Sequence, residues 1–186
     1  MKIALCYSGL IRFYEESYQS QLNNLIIPND CDIFIYTTNL VDHSSHIKDT
    51  SKFKHQVISI SKLKSKLLKF YGSRVKKIKI DEDKRKDKRL YGQAQQTLVH
   101  KCNKLRKEYE KEMNIKYDYI IRIRFDLRIN TPINIEKLVE NNILNKLNDS
   151  IFIYQWIRNG QTIIPPKKIK PNASKYFDGF AIGKTE

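Results

Sequence analysis

Three short runs of the sequence are apolar at both odd and even positions, and aromatic and β-branched residues dominate them. The runs are residues 2–7, residues 31–38 and the first part of residues 117–126. A strand of this composition has no polar face to offer to solvent, so it is buried on both faces, as the central strands of parallel sheets are. The runs therefore predict an α/β protein with a mainly parallel central sheet and helices on both faces.

Amphipathic helices are predicted between these strands. Residues 13–26, 61–71 and 91–113 carry apolar side chains at helical spacing. Residues 75–80 alternate apolar residues with lysines, which is typical of an edge strand whose charges prevent pairing with another chain. The order of strand, helix and strand at the start of the chain predicts a parallel pair joined by a right-handed crossover. The polar residues 39–53 are predicted to form an exposed loop.

The remaining segments have shorter patterns. Residues 150–156 and 176–183 are predicted strands, less regular than the early ones, and at least one of them is expected to be antiparallel. Residues 158–175 contain glycine and several prolines and are predicted to be a long irregular loop. The mixed-charge residues 81–89 favour a solvated loop, with closure over a ligand as the alternative. We expect residues 1–186 to form a single domain, which would also suit the N-terminal part of a longer protein.

The chain is strongly basic, with 35 Lys and Arg against 20 Asp and Glu and a formal net charge of +15. Such a charge attracts nucleic acid, an anionic membrane surface or a phosphorylated small molecule. No nucleic-acid-binding motif is present, and the aromatic residues lie in core patterns and do not interleave with the basic ones, so we expect no specific nucleic-acid partner. A basic binding module without catalysis stays open as an alternative, and so does peripheral contact with an anionic membrane.

Cys6, Cys31 and Cys102 are an odd number of cysteines and lack the spacing of a metal site. Cys6 and Cys31 lie in apolar runs and are predicted to be buried thiols, which argues against a zinc site or a disulfide framework. The first apolar run is too short to cross a membrane and lacks the pattern of a signal peptide. We therefore expect a cytoplasmic protein, located in the host cytoplasm if the source is a virus.

Charged residues end the third apolar run: Arg122, Arg124 and Asp126 occupy alternate positions there. Alternate residues of a strand share a face, and ligands of open α/β sheets bind outside the carboxyl ends of strands. Arginine offers a planar fork to phosphate oxygens, and a carboxylate suits Mg²⁺ or Mn²⁺. Gly9, just after the first run, permits a tight turn and a close approach of the backbone to a ligand. The alternative is a solvated strand face with a surface ion pair.

Four segments together resemble a group of viral and bacterial glycosyltransferases. They are Ser8-Gly9-Leu10-Ile11-Arg12 after the first strand, the second strand at residues 31–38, the helix at residues 101–111 followed by the Arg-x-Asp strand at residues 117–126, and the late Asp-x-x-x-x-Gly strand at residues 177–183. That group is similar to the GT-A fold, a Rossmann-like domain that holds a nucleotide sugar and a divalent metal ion. Its usual signature is Asp-x-Asp, whose final carboxylate binds the metal. Here Arg124 replaces the first carboxylate, and Asp126 matches the final one.

The resemblance implies a glycosyltransferase-like catalytic domain that moves a hexosyl or deoxyhexosyl group from a nucleoside-diphosphate sugar, such as a UDP sugar, to a hydroxyl of a glycan or glycoprotein acceptor. It implies Mn²⁺ or Mg²⁺ as cofactor, with Asp126 as the metal ligand. Asp178 is the candidate catalytic base of an inverting reaction, with a second metal ligand or a strand cap as alternative roles. The candidate nucleotide- and substrate-binding residues are Ser8, Gly9, Arg12, Thr37, Thr38, Asn39, Tyr91, Gln95, Arg122 and Arg124.

Overall fold

Strands and helices alternate through most of the chain. The computed structural model describes residues 1–42, 55–83, 91–141, 150–152, 156–158, 161–163 and 180–184. The strands are β1 (Ile3–Ser8), β2 (Ile11–Arg12), β3 (Asp32–Thr38), β4 (Leu40–Asp42), β5 (His55–Val57), β6 (Val75–Asp81), β7 (Tyr119–Ile123), β8 (Ser150–Phe152), β9 (Trp156–Arg158), β10 (Gln161–Ile163) and β11 (Phe180–Lys184). The helices are α1 (Tyr14–Gln21), α2 (Ile60–Tyr71), α3 (Tyr91–Met113) and α4 (Ile135–Glu140), and a π-helical segment at Leu22–Ile26 continues α1.

The main sheet has six strands in the order β6-β3-β1-β7-β11-β8. Within it, β6, β3, β1 and β7 run parallel to one another. At the far side, β11 is antiparallel to both β7 and β8. The predicted α/β fold with a mainly parallel central sheet is therefore confirmed, and so is the expectation of an antiparallel late strand.

Helices cover both faces of this sheet because its central strands β1 and β3 carry apolar side chains on both faces. Leu5 of β1 packs in a core with Leu63 of α2 and other residues of α1 and α2. Cys6, the next residue, packs on the opposite face with Cys102 of α3. Each large apolar side chain that is fully buried in this way stabilises the fold by about 1.5–3 kcal/mol. All three cysteines are free and buried, and burial raises the pKa of the Cys31 thiol to about 12.

Local sequence explains where α2 begins and ends. The Ser59 hydroxyl accepts a hydrogen bond of 3.4 Å from the backbone N–H of Lys62 and so caps the first turn. Gly72 follows the last turn with φ of 59°, in the left-handed region that stops a helix. Among the described helices, none is long and apolar enough to cross a membrane.

A small sheet of β2, β4 and β5 corrects the prediction of a loop at residues 39–53. Ile11 of β2 aligns in parallel with Val41 of β4, and β5 pairs antiparallel with β4. Both aligned residues are fully buried. Strands of two or three residues are too short to show a period in the sequence, so only tertiary pairing reveals them. Residues 43–54 lie outside the described part of the chain.

A second correction concerns residues 158–175, which were predicted to be irregular throughout. Gln161–Ile163 forms β10 and pairs antiparallel with β9 at Trp156–Arg158. Prolines at positions 165, 166 and 171 determined the prediction, but they follow the β-branched pair Thr162-Ile163, which favours a strand. The predicted loop at residues 81–89 also begins later than expected, since Asp81 is the last residue of β6.

Candidate functional site

The strand order of the main sheet reverses between β1 and β7. The chain passes from β1 through β3 to β6 on one side and then places β7 on the other side of β1. In open α/β sheets, ligands bind outside the carboxyl ends of the strands at such a reversal. The two strands at this point end in the groups that the sequence singles out, Ser8-Gly9 after β1 and Arg122 to Asp126 at the end of β7.

Ser8 and Arg122 belong to the sheet face that α3 covers. Arg122 aligns in register with Cys6, which packs under α3, and Ser8 is two residues further along the same strand. Ser8 is only 1% exposed, and its hydroxyl oxygen is buried without a hydrogen-bond partner within the described residues. A buried hydroxyl without a partner costs about 1–3 kcal/mol. A ligand with a hydrogen-bonding group next to Ser8 would remove that cost.

Gly9 turns the chain directly after Ser8. Its φ of 116° lies in the region that favours glycine. Thr37, at the end of β3, donates a hydrogen bond of 2.7 Å from its hydroxyl to the Gly9 carbonyl oxygen and thus fixes the turn to the neighbouring strand. Thr37 therefore acts on the predicted site through the backbone of Gly9.

The turn after β7 corrects one expectation about Asp126. The strand ends at Ile123, so strand alternation does not extend to Asp126. The chain turns there because Phe125 is fully buried and stacks on Tyr7, with ring centroids 5.0 Å apart. Asp126 is brought back to Arg124 by the turn and not by the pleat of a strand.

Arg124 and Asp126 form a bidentate ion pair. Arg124 donates from Nε to Asp126 Oδ1 at 2.9 Å and from Nη2 to Oδ2 at 2.5 Å. The side chains are 26% and 8% exposed, respectively. The ion pair of the alternative interpretation is therefore present, but it is largely buried. Such a pair holds the plane of the guanidinium in one orientation.

Two buried polar residues of α1 bind the backbone of the turn after β7, and the sequence analysis missed both. Gln21 donates from Nε2 to the carbonyl oxygens of Arg124, Phe125 and Leu127 at 3.2, 3.3 and 2.6 Å. The Ser17 hydroxyl donates to the Phe125 carbonyl oxygen as well. Ser17 and Gln21 are both 0% exposed. Their spacing of four residues puts them on one helix face, but polar residues at such positions usually indicate the solvent side.

Thr38 and Asn39 hold the chain that follows β6. The Thr38 hydroxyl donates to Asp83 Oδ2 at 3.1 Å, and Asn39 Oδ1 accepts from the backbone N–H of Asp83 at 2.8 Å. Both residues are less than a tenth exposed. The structure places these two residues at the end of β3, at the same edge as Ser8, where they bind the segment that follows β6.

The other predicted residues lie on or beyond the same edge. Arg12 lies on β2, which continues the chain past the end of β1. Tyr91 and Gln95 lie in the first turns of α3, and Lys101 further along this helix contacts Asp81, the last residue of β6. Residues 91–100 therefore correspond to about 15 Å of helix that precedes this contact. Asp178 lies outside the described residues.

The described residues do not by themselves fit a metal ion. Among them there is no group of three or more His, Cys, Asp or Glu side chains that could hold one. Asp126 is the one carboxylate at the end of β7, and both of its oxygens accept hydrogen bonds from Arg124. Metal binding by Asp126 therefore stays a prediction that requires further ligands.

Comparison with known proteins assigns the chain to a family. Neither the curated proteins nor the solved structures contain a match to this chain. One family model, described as "Domain of unknown function (DUF7796)", matches residues 1–151, which include β1, β3, β6 and β7 with the Ser8-Gly9 turn and the Arg124–Asp126 pair. The chain therefore belongs to the DUF7796 family.

Proposed function

We propose that this protein is a glycosyltransferase that binds a nucleoside-diphosphate sugar at the carboxyl edge between β1 and β7 and transfers the sugar to an acceptor hydroxyl. One observation carries the proposal: the strand order reverses between the two strands that end in Ser8-Gly9 and in Arg122 to Asp126. A buried hydroxyl, a glycine turn and two guanidinium groups at such a reversal suit a diphosphate. The resemblance of the same segments to glycosyltransferases supports the sugar as the transferred group.

The chemistry of sugar transfer requires positive charge at this place. When the bond between the anomeric carbon of the sugar and the diphosphate oxygen breaks, negative charge develops on the leaving nucleoside diphosphate. Fixed cations stabilise this charge most when they need no reorganisation. Asp126 fixes the Arg124 guanidinium, and Gln21 fixes the backbone that carries it. Gly9 lets the backbone approach a phosphate closely. In this proposal Arg122 and Arg124 bind the diphosphate and stabilise its developing charge.

The acceptor hydroxyl must lose a proton during transfer. Asp178 stays the proposed base for an inverting reaction. The acceptor is proposed to be a glycan or a glycoprotein. Tyr91 and Gln95, in the part of α3 that precedes the contact with Asp81, are proposed to lie beside the sugar.

A calorimetric and thermal-shift screen tests the proposal. The purified protein is titrated with nucleoside diphosphates and nucleotide sugars, in EDTA and in Mn²⁺, and with short DNA and RNA of random sequence. A ligand at a hundred times its Kd raises the free energy of unfolding by about 2.7 kcal/mol. We expect one class of nucleoside diphosphate to bind with weak salt dependence, and the oligonucleotides to lose affinity steeply as salt rises.

The opposite outcome has a clear form. If no nucleotide sugar binds with or without metal, while oligonucleotides bind through charge alone, the basic binding module replaces the glycosyltransferase. A second measurement is the hydrolysis of the nucleotide sugar in the absence of acceptor, detected as release of the nucleoside diphosphate.

A further inference from the structure

A second polar cluster lies at the same edge of the sheet, at the end of β6. Asp81 accepts two hydrogen bonds on one oxygen, Oδ2, from the Tyr36 hydroxyl at 2.9 Å and from Lys101 Nζ at 2.9 Å. Within the described residues, Oδ1 of Asp81 has no partner. The Asp81 side chain is 32% exposed. One oxygen is therefore held in place, and the other can accept hydrogen bonds from a ligand.

This cluster carries charges of both signs. Lys79 and Lys101 lie within 6.0 and 5.2 Å of the Tyr36 ring centroid, and Lys101 forms an ion pair with Asp81, to which the Tyr36 hydroxyl also donates. Burial alone would raise the pKa of the Asp81 carboxyl, but hydrogen bonds from Lys101 and Tyr36 and the charges of Lys101 and Lys79 lower it below its usual value. Asp81 is therefore an ionised acceptor at neutral pH.

The end of β7 differs, because it carries two guanidinium groups, those of Arg122 and Arg124, and Asp126 pairs with Arg124 there. A phosphate is attracted to that end. At the end of β6, the Asp81 carboxylate repels a phosphate and favours neutral groups that donate hydrogen bonds, such as hydroxyls and ring N–H groups. The two ends therefore suit the two ends of one polar ligand.

The sheet sets the distance between the two ends. Ser8 aligns in register with Tyr36, and Tyr36 aligns with Lys79, so all three lie on the α3 face in one row across the strands. Neighbouring strands are about 4.8 Å apart, so β6 lies about 10 Å from β1 and about 14 Å from β7. A phosphate ion alone cannot reach both ends. A nucleoside diphosphate can, because its nucleoside offers hydrogen-bond donors at one end and its phosphates lie at the other.

We propose that Asp81 forms the nucleoside end of the donor site. Its Oδ1 accepts hydrogen bonds from the nucleoside, either from the ribose hydroxyls or from a base N–H. Tyr36 and Lys101 are positioning residues, because they hold Oδ2 and so fix the direction of Oδ1. This assignment rests on the proposed function, since it places the diphosphate of the same ligand near Ser8 and Arg122.

The experiment compares nucleoside diphosphates with inorganic pyrophosphate, which has the phosphates but no nucleoside. Both are titrated calorimetrically into the wild type, Asp81→Asn and Glu82→Gln. Glu82 is the exposed neighbour of Asp81, and its substitution removes the same charge. We expect Asp81→Asn to weaken the best nucleoside diphosphate by about tenfold to a hundredfold and to leave pyrophosphate unchanged. Glu82→Gln should leave both affinities unchanged.

Two further comparisons distinguish the ribose from the base as the group that donates hydrogen bonds to Oδ1 of Asp81. If Oδ1 binds the ribose, the 2′-deoxynucleoside diphosphate binds the wild type more weakly than the ribonucleotide, and Asp81→Asn loses this preference. If it binds the base, Asp81→Asn loses instead the preference of the wild type among UDP, CDP, ADP and GDP. Tyr36→Phe should give a smaller loss than Asp81→Asn in either case.

Retained pyrophosphate binding reports that each variant is folded, so the ratio of the two affinities is the readout. An unchanged ratio in Asp81→Asn overturns the nucleoside assignment while leaving the proposed function intact. A wild type that binds pyrophosphate but no nucleoside diphosphate overturns both.

Discussion

The two ends of the carboxyl edge are built in different ways. At the end of β7, Gln21 and Ser17 of α1 hold the backbone by hydrogen bonds, and Arg122 and Arg124 supply two guanidinium groups, of which Arg124 pairs with Asp126. At the end of β6, the side chains hold one another, as Asp81 does with Lys101, and their charges cancel. A fixed backbone with two guanidinium groups suits a phosphate, and an ion pair with one open acceptor suits hydroxyl or N–H donors. The difference gives the edge a direction along which a nucleotide can bind.

The largest expected effect comes from removing the support of the β7 end. Gln21→Leu would remove the hydrogen bonds to three carbonyl oxygens, of which only that of Phe125 keeps its bond from Ser17, and would also remove the acceptor of the Tyr7 hydroxyl, Gln21 Oε1 at 2.7 Å. Each unsatisfied group costs about 1–3 kcal/mol, so we expect the free energy of unfolding to fall by about 3 kcal/mol or more. Urea denaturation measures it.

The matched control is Gln19→Leu, because Gln19 lies on the exposed side of the same helix. It should change the free energy of unfolding by less than about 0.5 kcal/mol. Similar values for the two variants would mean that α1 does not support the turn after β7.

The next effect tests the charge of the β7 end. Arg124→Gln should weaken the binding of pyrophosphate and of nucleoside diphosphates by about 1.5–3 kcal/mol, which is the usual strength of a hydrogen bond to a charged group. Arg128→Gln removes the same charge from an exposed position four residues later. Calorimetry on both variants separates a local site from a general effect of the net charge, and equal losses would show that only the net charge matters.

The third effect concerns Asp126. Asp126→Asn breaks the bidentate pair but keeps the shape, so we expect a loss of about 1–2 kcal/mol in the free energy of unfolding. Because the pair orients Arg124, donor affinity should fall by the same factor in EDTA and in Mn²⁺. If Mn²⁺ strengthens donor binding in the wild type and this gain disappears in Asp126→Asn, then Asp126 is a metal ligand, as the resemblance implies.

The fold could be predicted from the sequence because a strand that is buried on both faces appears there as a continuous apolar run. Every residue of β1 is buried, and so is every residue of β3 after Asp32, and this is what continuous apolar runs predict. The bounds of α3 also follow from its periodicity. The placement of Ser8-Gly9 and of Arg122 to Asp126 at strand ends followed from the sequence as well, because each segment comes directly at the end of an apolar run.

Other residues at this edge of the sheet could not be identified from a local sequence pattern. Ser17 and Gln21 are polar residues on a buried helix face, and their carbonyl partners lie more than 100 positions away. No local pattern distinguishes them from solvated residues. Asp81 was assigned to a mixed-charge loop because its partner Lys101 is 20 positions later, on a different element. Residues whose role depends on contacts between elements become visible only once the elements are packed.

The smallest expected effect is the pH dependence of the β6 end. The folded pKa of Asp81 lies below its unfolded value of about 3.9, so its contribution to stability is complete above that value and is lost as pH falls through the folded pKa. For an ion pair this exposed we expect less than about 1 kcal/mol. Melting temperatures of the wild type and Asp81→Asn should therefore converge as the pH falls from about 5 to about 2, because the acid form of the wild type no longer pairs with Lys101. Glu82→Gln serves as the control at the same end. A constant difference between the wild type and Asp81→Asn over this range would show that the hydrogen bond from Tyr36, and not the charge of the carboxylate, stabilises this end of the edge.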